Sequence, residues 1–424
     1  MKKKIACIIL AAGKSTRMKS TLPKVLHPIC GRPILEFTLD LVKSLKVSKS
    51  VAVVGYKHQQ VKGVLAAHGV EASLQKRLLG TADAVKTALK KLRGFKGDIL
   101  VLYGDTPLLS SQTIRKLLDF HAKSNSHLSV LTAIAPRPAG YGRILRDEYS
   151  GICGIAEEKD ADDFQKEIKE INTGIMVFKK DKLQEALRYI KANNRNKEYY
   201  LTDAVEILYK RGALVDGLRA SDINETLGVN SRLDLASAAK IMRKRINRKI
   251  AESGVTIVDP DSCFIDYGVK IGQDTTIYPF TVIENNVKIG NRCKIGPFIH
   301  LREGTRLEND CVIGNFIEVV RSRIGSGTLA KHFSYLGDTQ IGKLVNIGAG
   351  CVTANWDGSR KNKTKIKDKA FIGSDTVIVA PAVIGKQAKT GAGSVVLKNT
   401  FVGNGSVVVG VPAVALKKVS KRKK

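Results

Sequence analysis

The sequence predicts two folds in tandem, an α/β sheet with crossover helices followed by a parallel β-helix. Three observations carry this. From Met1 to about Gly228, short apolar runs alternate with amphipathic helical stretches. Beyond Ser253 the apolar period changes to six. Between them, RLDLASAAKIMRKRINRKIAES lacks Gly and Pro and reads as one long basic helix. A chain of 424 residues is also too long for one ordinary core. The expected division is 1–228 for the α/β domain, 229–252 for the linker helix, 253–412 for the β-helix and 413–424 for a basic tail.

In the first segment the alternation runs IACIIL, PILEFTLDLVKSL, SVAVVG, TADAVKTALKKL, DILVLYGD, TIRKLLDFHAKS and LSVLTAIA. This is the pattern of a mostly parallel sheet, whose ligand sites lie at the carboxyl ends of the strands. The opening MKKKIACIILAAG imitates a signal peptide, but the GKSTRM and LPKVLHPICGRP that follow favour a buried first strand entering a functional loop. In the second segment Ile265, Ile271, Ile277, Ile283, Ile289, Ile295, Leu301, Leu307, Ile313 and Val319 keep one register. It resumes at Ile366, Ile372, Ile378 and Ile384, slips to Thr390, and continues through Val396, Val402 and Val408. The break between Val319 and Ile366, around KHFSYLGD and ANWDGSRKNKTK, is expected to leave the stack and carry function.

Composition narrows the class further. The 71 Lys and Arg against 39 Asp and Glu give a net charge of +32, with one dense run at Lys417, Lys418, Lys421, Arg422, Lys423 and Lys424. Two readings of this charge stay open, a solvated surface and a polyanionic partner, although no aromatic-and-basic platform points to a specific nucleic acid. Seven dispersed cysteines without a CxxC pair read as free thiols of a cytoplasmic protein. No stretch is long and apolar enough to span a bilayer.

Two strand-end loops are chemically unusual. AAGKSTRM is small-residued and carries Lys14 and Arg17, with Lys24 on a second basic turn; exposed backbone N–H groups there can cradle phosphates. A Walker A loop is excluded because Ile8 stands where its first Gly is required. Tyr103-Gly104-Asp105 closes the strongest strand, and Asp105 is either a Mg²⁺ ligand beside a triphosphate or a helix N-cap.

The motifs LAAGKSTRM, LPKVLH, LLGTADAV, YGDTPL, GYGRI, EEKD, EINTGI, EYYLTD and GVNSR resemble, in order, the signatures of the bifunctional N-acetylglucosamine-1-phosphate uridylyltransferase / glucosamine-1-phosphate acetyltransferase family. PFIHLREG, GNFIE, KHFSYLGD, VNIGAG, ANWDGSRKNKTK and FIGSDT resemble its acetyltransferase half. The resemblance implies a Rossmann-like nucleotidyltransferase domain followed by a left-handed parallel β-helix of hexapeptide repeats. It implies a homotrimer using UTP, acetyl-CoA and Mg²⁺, with glucosamine-1-phosphate and N-acetylglucosamine-1-phosphate as substrates, serving cell-wall and envelope polysaccharide.

Carried over residue by residue, the resemblance puts Leu10, Ala11, Ala12, Gly13, Lys24, Gln75, Gly80 and Thr81 around the nucleotide, beside Tyr103 and Gly104. Gly142, Glu157 and Asn172 would hold the sugar, Asp105 and Asn230 would share Mg²⁺, and Arg17 would face the departing pyrophosphate. His332 would be the general base of acetyl transfer. Arg302, Tyr335, Asn346 and Lys361 would contact the sugar phosphate, and Ala349, Asn355, Trp356, Ser374 and Ala392 the acetyl-CoA. The chain departs from the family at Val320, where a phosphate-binding Lys is usual, at Trp356 for Tyr, and at Gly410 for Arg. The alternative function is a uridylyltransferase alone, with the β-helix as a trimerising scaffold.

Overall fold

The computed structural model describes residues 4–14 and 16–416, so most of the basic tail expected from 413 lies outside the described residues. The chain forms two compact units, Met1–Ile241 and Met242–Lys424.

The first unit is built on a nine-stranded sheet. Its strands are β1 Ile5–Ala11, β2 Lys49–Val54, β3 Glu71–Leu74, β4 Asp98–Tyr103, β5 Leu128–Ile134, β6 Arg143–Arg146, β7 Ile152–Ala156, β8 Glu170–Lys179 and β9 Val215–Arg219. The spatial order is β9-β5-β8-β4-β1-β2-β3, with the β6–β7 pair joined to β8. β1 pairs in parallel with β2 and β4, because helices such as Ile34–Leu45 and Thr81–Leu89 carry the chain back between strands. Both faces are therefore covered: Ile8, Val53 and Val101 pack into one apolar cluster, and Cys7, Ile9 and Leu100 into another. The sheet is less uniformly parallel than the alternation suggests, since β8 runs antiparallel to both β4 and β5. What matters for the site is that Leu10 lies opposite Tyr103, and the Gly104 N–H donates to the Leu10 carbonyl at 2.9 Å. The loops after β1 and β4 thus leave the sheet side by side.

The basic segment forms a helix over Arg232–Glu252. Ser231 and Asp234 start it: the Asp234 carboxylate accepts the Ser231 and Asn230 N–H groups at 2.8 and 3.0 Å, and the Ser231 hydroxyl accepts the Asp234 N–H at 3.2 Å. This cap fixes Asn230 just ahead of the first turn. No helix among the described residues is long and apolar enough to cross a membrane.

In the second unit short strands pair in parallel with the third strand onward, as Lys270–Ile271 does with Lys288–Ile289 and then Arg306–Leu307. Three sheets result, the faces of a left-handed triangular prism, called here the first, second and third faces from their opening strands Thr256–Ile257, Phe264–Ile265 and Lys270–Ile271. The six-residue register fills the interior, and each isoleucine such as Ile277 or Ile295, fully buried, contributes about 1.5–3 kcal/mol. Ile246 and Ile250 of the long helix pack on one end of this core. At the other end Val414–Ala415 pairs antiparallel with Val407–Val409.

The expected break from Val319 to Ile366 needs correction. Ile324, Ala330, Leu336, Ile341 and Ile347 continue the buried interior, so the stack persists. The register merely loses one residue at two corners, Val319 to Ile324 and Leu336 to Ile341. KHFSYLGD accordingly stays in the stack, with Ser334–Gly337 paired along Ile317–Val320. Only the stretch after Ala354 departs, returning at Thr364 and closing on itself through a bridge between Trp356 and Lys361.

Candidate functional site

The two strand-end loops of the first unit open into a cavity with two lobes. One, of about 430 Å³, is walled by the loop from Leu10 through Ala11 and Ala12 to Gly13, by Lys24, and by Gln75, Gly80 and Thr81. The other, of about 360 Å³, is bordered by Gly142, Glu157 and Asn172. Thr81, Tyr103, Asp105 and Asn230 border both. Gly104 and Arg17 border neither: Gly104 ties β4 to β1, and Arg17 is exposed on the turn Thr16–Met18.

Each wall has a local cause. Gly80 sits at φ +114°, and a Cβ there would fall 2.5 Å from the Tyr199 carbonyl oxygen, so the turn admits only glycine. The same Tyr199 carbonyl accepts the Ala82 N–H at 2.9 Å, while the Thr81 hydroxyl accepts the Leu201 N–H at 2.9 Å. EYYLTD is thereby stitched to GTADAV. The Gln75 amide nitrogen donates to the Gly80 carbonyl and to Asp83, at 3.1 and 2.8 Å. Asn172 Oδ1 accepts the Gly174 N–H at 2.9 Å.

The lobes meet at a charged junction. Lys24 is ion-paired with Asp105 and donates to Asn230 Oδ1 at 3.0 Å. A carboxylate and an amide oxygen thus converge on one cation. That hard oxygen pair suits Mg²⁺, which takes few protein ligands and completes its shell with water and phosphate. Among the described residues no cluster of three or more His, Cys, Asp or Glu offers a denser metal site.

In the second lobe burial pushes the Glu157 carboxyl above its ordinary range, opposed by the Thr202 hydroxyl, which donates to it at 2.8 Å. Burial, then the neighbouring Glu157, Glu206 and Asp160, push Asp203 up to about 6. Glu198, Tyr141 and Tyr200 also line the cavity, and sequence reasoning missed them. The two tyrosine-bearing motifs GYGRI and EYYLTD were the available signal.

The second unit assembles its residues by stacking. Ala330, Ile347, Ile372, Thr390 and Val408 pair in sequence along the first face. Two places later, at the corner between the first and second faces, His332, Ala349, Ser374, Ala392 and Gly410 therefore form one column. At about 4.8 Å per strand the column is about 19 Å long. His332 is exposed at its head, and the rest have small side chains or none.

The other predicted residues lie elsewhere. Asn346 faces outward on the first face; Arg302 donates to Glu318 at 3.0 Å, and Glu318 pairs with Tyr335 on the second. Asn355, Trp356 and Lys361 belong to the excursion at the far edge of the second face, so one chain does not gather them with His332. Asn355 Nδ2 donates to Asp338 at 2.5 Å. Val320 is only 2% exposed, and Arg321 is committed to Asp338 through two bonds of 2.7 Å. The Arg321 guanidinium is thus already engaged within the chain.

The comparisons with known proteins bear on the two domains and the family. A family model described as MobA-like NTP transferase domain matches residues 7–171, and one described as bacterial transferase hexapeptide (six repeats) matches residues 268–298. The chain is 43% identical over 419 residues to the bifunctional protein GlmU of Geobacillus sp. (strain WCH70), covering 91% of each. It is 42% identical to that of Lactococcus lactis subsp. lactis (strain IL1403), covering 91% of each, and 43% identical to that of Thermosipho africanus (strain TCF52B), covering 91% of this chain and 90% of the relative. A nucleotidyltransferase sheet, a hexapeptide-repeat prism and relatives matched over nine-tenths of their length lead to one assignment: the chain belongs to the family of bifunctional GlmU proteins.

Proposed function

We infer that the chain is a bifunctional transferase of UDP-N-acetylglucosamine synthesis. Its second unit moves the acetyl group of acetyl-CoA to the amine of glucosamine-1-phosphate. Its first unit transfers the uridylyl group of UTP to the resulting N-acetylglucosamine-1-phosphate, releasing pyrophosphate. The carrying observation is the Lys24–Asp105–Asn230 junction between the two lobes.

In this reading the first lobe takes UTP. The Gln75 amide nitrogen is already engaged, which leaves its carbonyl oxygen to accept from the uracil ring. The second lobe takes the sugar against Gly142, Glu157 and Asn172. A phosphate oxygen of the sugar then attacks the α-phosphorus in line, so the protein's work is positioning and charge neutralisation. Lys24 sits at the junction where that charge develops, and Arg17 is the cation assigned to pyrophosphate. Asp105 and Asn230 would hold Mg²⁺, which when bound offsets phosphate charge.

For acetyl transfer, His332 takes the proton from the glucosamine amine as nitrogen attacks the thioester carbonyl. The small residues below it on the same corner, Ala349, Ser374 and Ala392, would contact the extended arm of acetyl-CoA. Asn355 and Trp356 would complete that contact, with the indole stacking on a planar group. Arg302, Tyr335, Asn346 and Lys361 would bind the sugar phosphate. Because His332 and the excursion carrying Asn355, Trp356 and Lys361 sit at opposite edges of the second face, a complete site needs a neighbouring copy, and we assign a homotrimer. The substrates assign the work to the cytoplasm.

A uridylyltransferase with a purely scaffolding β-helix is favoured by one observation, the replacement of a cation by buried Val320. Thiol release from acetyl-CoA with glucosamine-1-phosphate separates the two. Release that His332→Ala abolishes supports both activities; no release from protein that still makes UDP-N-acetylglucosamine supports the scaffold.

A further inference from the structure

The net charge of +32 is not used by either proposed active site, and the third face of the prism concentrates part of it. The pairing register aligns Lys270, Lys288, Arg306, Arg323, Gln340 and Lys365 as consecutive outward positions. Five of these six are cationic, and all six are exposed. The row then ends in Val383 and Phe401. The Phe401 ring is 60% exposed, with Lys367 Nζ 5.4 Å from its centroid. On the second face the same outward positions, from Phe264 to Val395, carry no Lys or Arg.

No carboxylate occupies an outward position of the row. Glu308, beside it, pairs with Arg323 at 2.7 Å, while Lys270, Lys288, Arg306 and Lys365 make no ion pair among the described residues. Cations about 4.8 Å apart repel one another, and an opposing sheet of negative charge relieves that repulsion. From Lys270 to Lys365 the row is about 24 Å long and lies on a flat face.

We propose that this third face docks on an anionic lipid bilayer. Lipid headgroups are fluid and adjust to a fixed row of charges, and each lysine near such a surface adds favourable energy. The exposed Phe401 with its adjoining lysine supplies an amphipathic end suited to the headgroup boundary. A single-stranded nucleic acid would call for aromatic rings interleaved with the cations, and here the one ring stands at the end. In a triangular prism this face lies opposite the corner bearing His332 and the stacked rings of Phe280, Phe298 and Phe316, and all six positions of the row are exposed. Docking depends on neither transferase activity.

The test is co-sedimentation of the full chain with vesicles of phosphatidylcholine alone or with about a third phosphatidylglycerol, at low and high salt. The expected result is binding only to anionic vesicles, lost at high salt. Full-chain K270E/K288E/K365E should bind about a hundredfold more weakly while keeping wild-type uridylyl transfer, which reports that it folds. Phe401→Ser should weaken vesicle binding and leave binding to a single-stranded oligonucleotide unchanged. Undiminished vesicle binding by the triple variant would overturn the proposal. So would an oligonucleotide that binds more tightly than vesicles and depends on the same three lysines.

Discussion

Replacing Asp105 by Asn keeps the shape of the junction and removes its one negative charge. The Lys24 and Asp105 side chains are only 12% and 13% exposed, so water does little to replace what is lost. The Lys24 ammonium would keep a single neutral partner, Asn230 at 3.0 Å. One charged contact to a developing phosphoryl charge is worth about 3–4 kcal/mol, and the substitution disturbs both Lys24 and one of the two oxygens offered to Mg²⁺. We expect kcat/KM for pyrophosphate release from UTP to fall about a thousandfold. Thermal unfolding should fall by about 1–3 kcal/mol, the cost of a poorly paired charge. Acetyl transfer, performed in the other unit, should be unchanged. Lys24→Met alone should lose a similar amount, and the double variant should lose at least about 1 kcal/mol less than the sum, because the two side chains touch. Strict additivity, or more than a tenth of wild-type rate in Asp105→Asn, would refute the junction as the reacting centre.

Three further outcomes are expected. Gly80→Ala forces a methyl against the Tyr199 backbone at positive φ, and should cost about 2 kcal/mol or more in a denaturant melt while raising KM for UTP. Asp203 is raised from the ordinary 3.8 to about 6, so its contribution to stability is present below about pH 4 and lost as pH rises through about 6. Asp203→Asn should therefore match wild type near pH 4 and melt about 1–3 °C higher at pH 7; a gap that narrows with rising pH would contradict the assignment. Arg321→Ala should change KM for glucosamine-1-phosphate by less than about threefold, since its guanidinium is engaged by Asp338. A tenfold rise would show that Arg321 reaches the phosphate after all.

The prism was legible because Ile265 through Val319 repeat a single geometric demand, one inward side chain every sixth residue. The stretch from Val319 to Ile366 misled for a physical reason. Arg321 and Asp338 turn two corners by themselves, with φ of 46° and 48°, so the interior continues one residue early and a strict count of six loses it. The β1 loop, Lys24 and Asp105 could be anticipated from strand ends and charge. Glu198, Tyr141 and Tyr200 lie inside the motifs EYYLTD and GYGRI, but nothing local in those motifs shows that they reach the cavity, since they come from segments far along the chain. The column below His332 was hidden for a related reason. Its members are separated by 17, 25, 18 and 18 residues, and only the strand pairing reveals that they share a corner.

The short strand Val414–Ala415 bears on a hazard peculiar to parallel stacks. Such a stack finishes on a row of unpaired backbone groups, and the last coil of one molecule is a ready template for the first coil of another, the route to a growing fibre. By folding back antiparallel on Val407–Val409, this strand fills part of that row with the wrong polarity for further parallel growth. At the opposite end the apolar side of the long helix performs the same office with Ile246 and Ile250. The length of the rod is thus written into its two stoppers, and a chain cut before Val414 would be expected to join end to end.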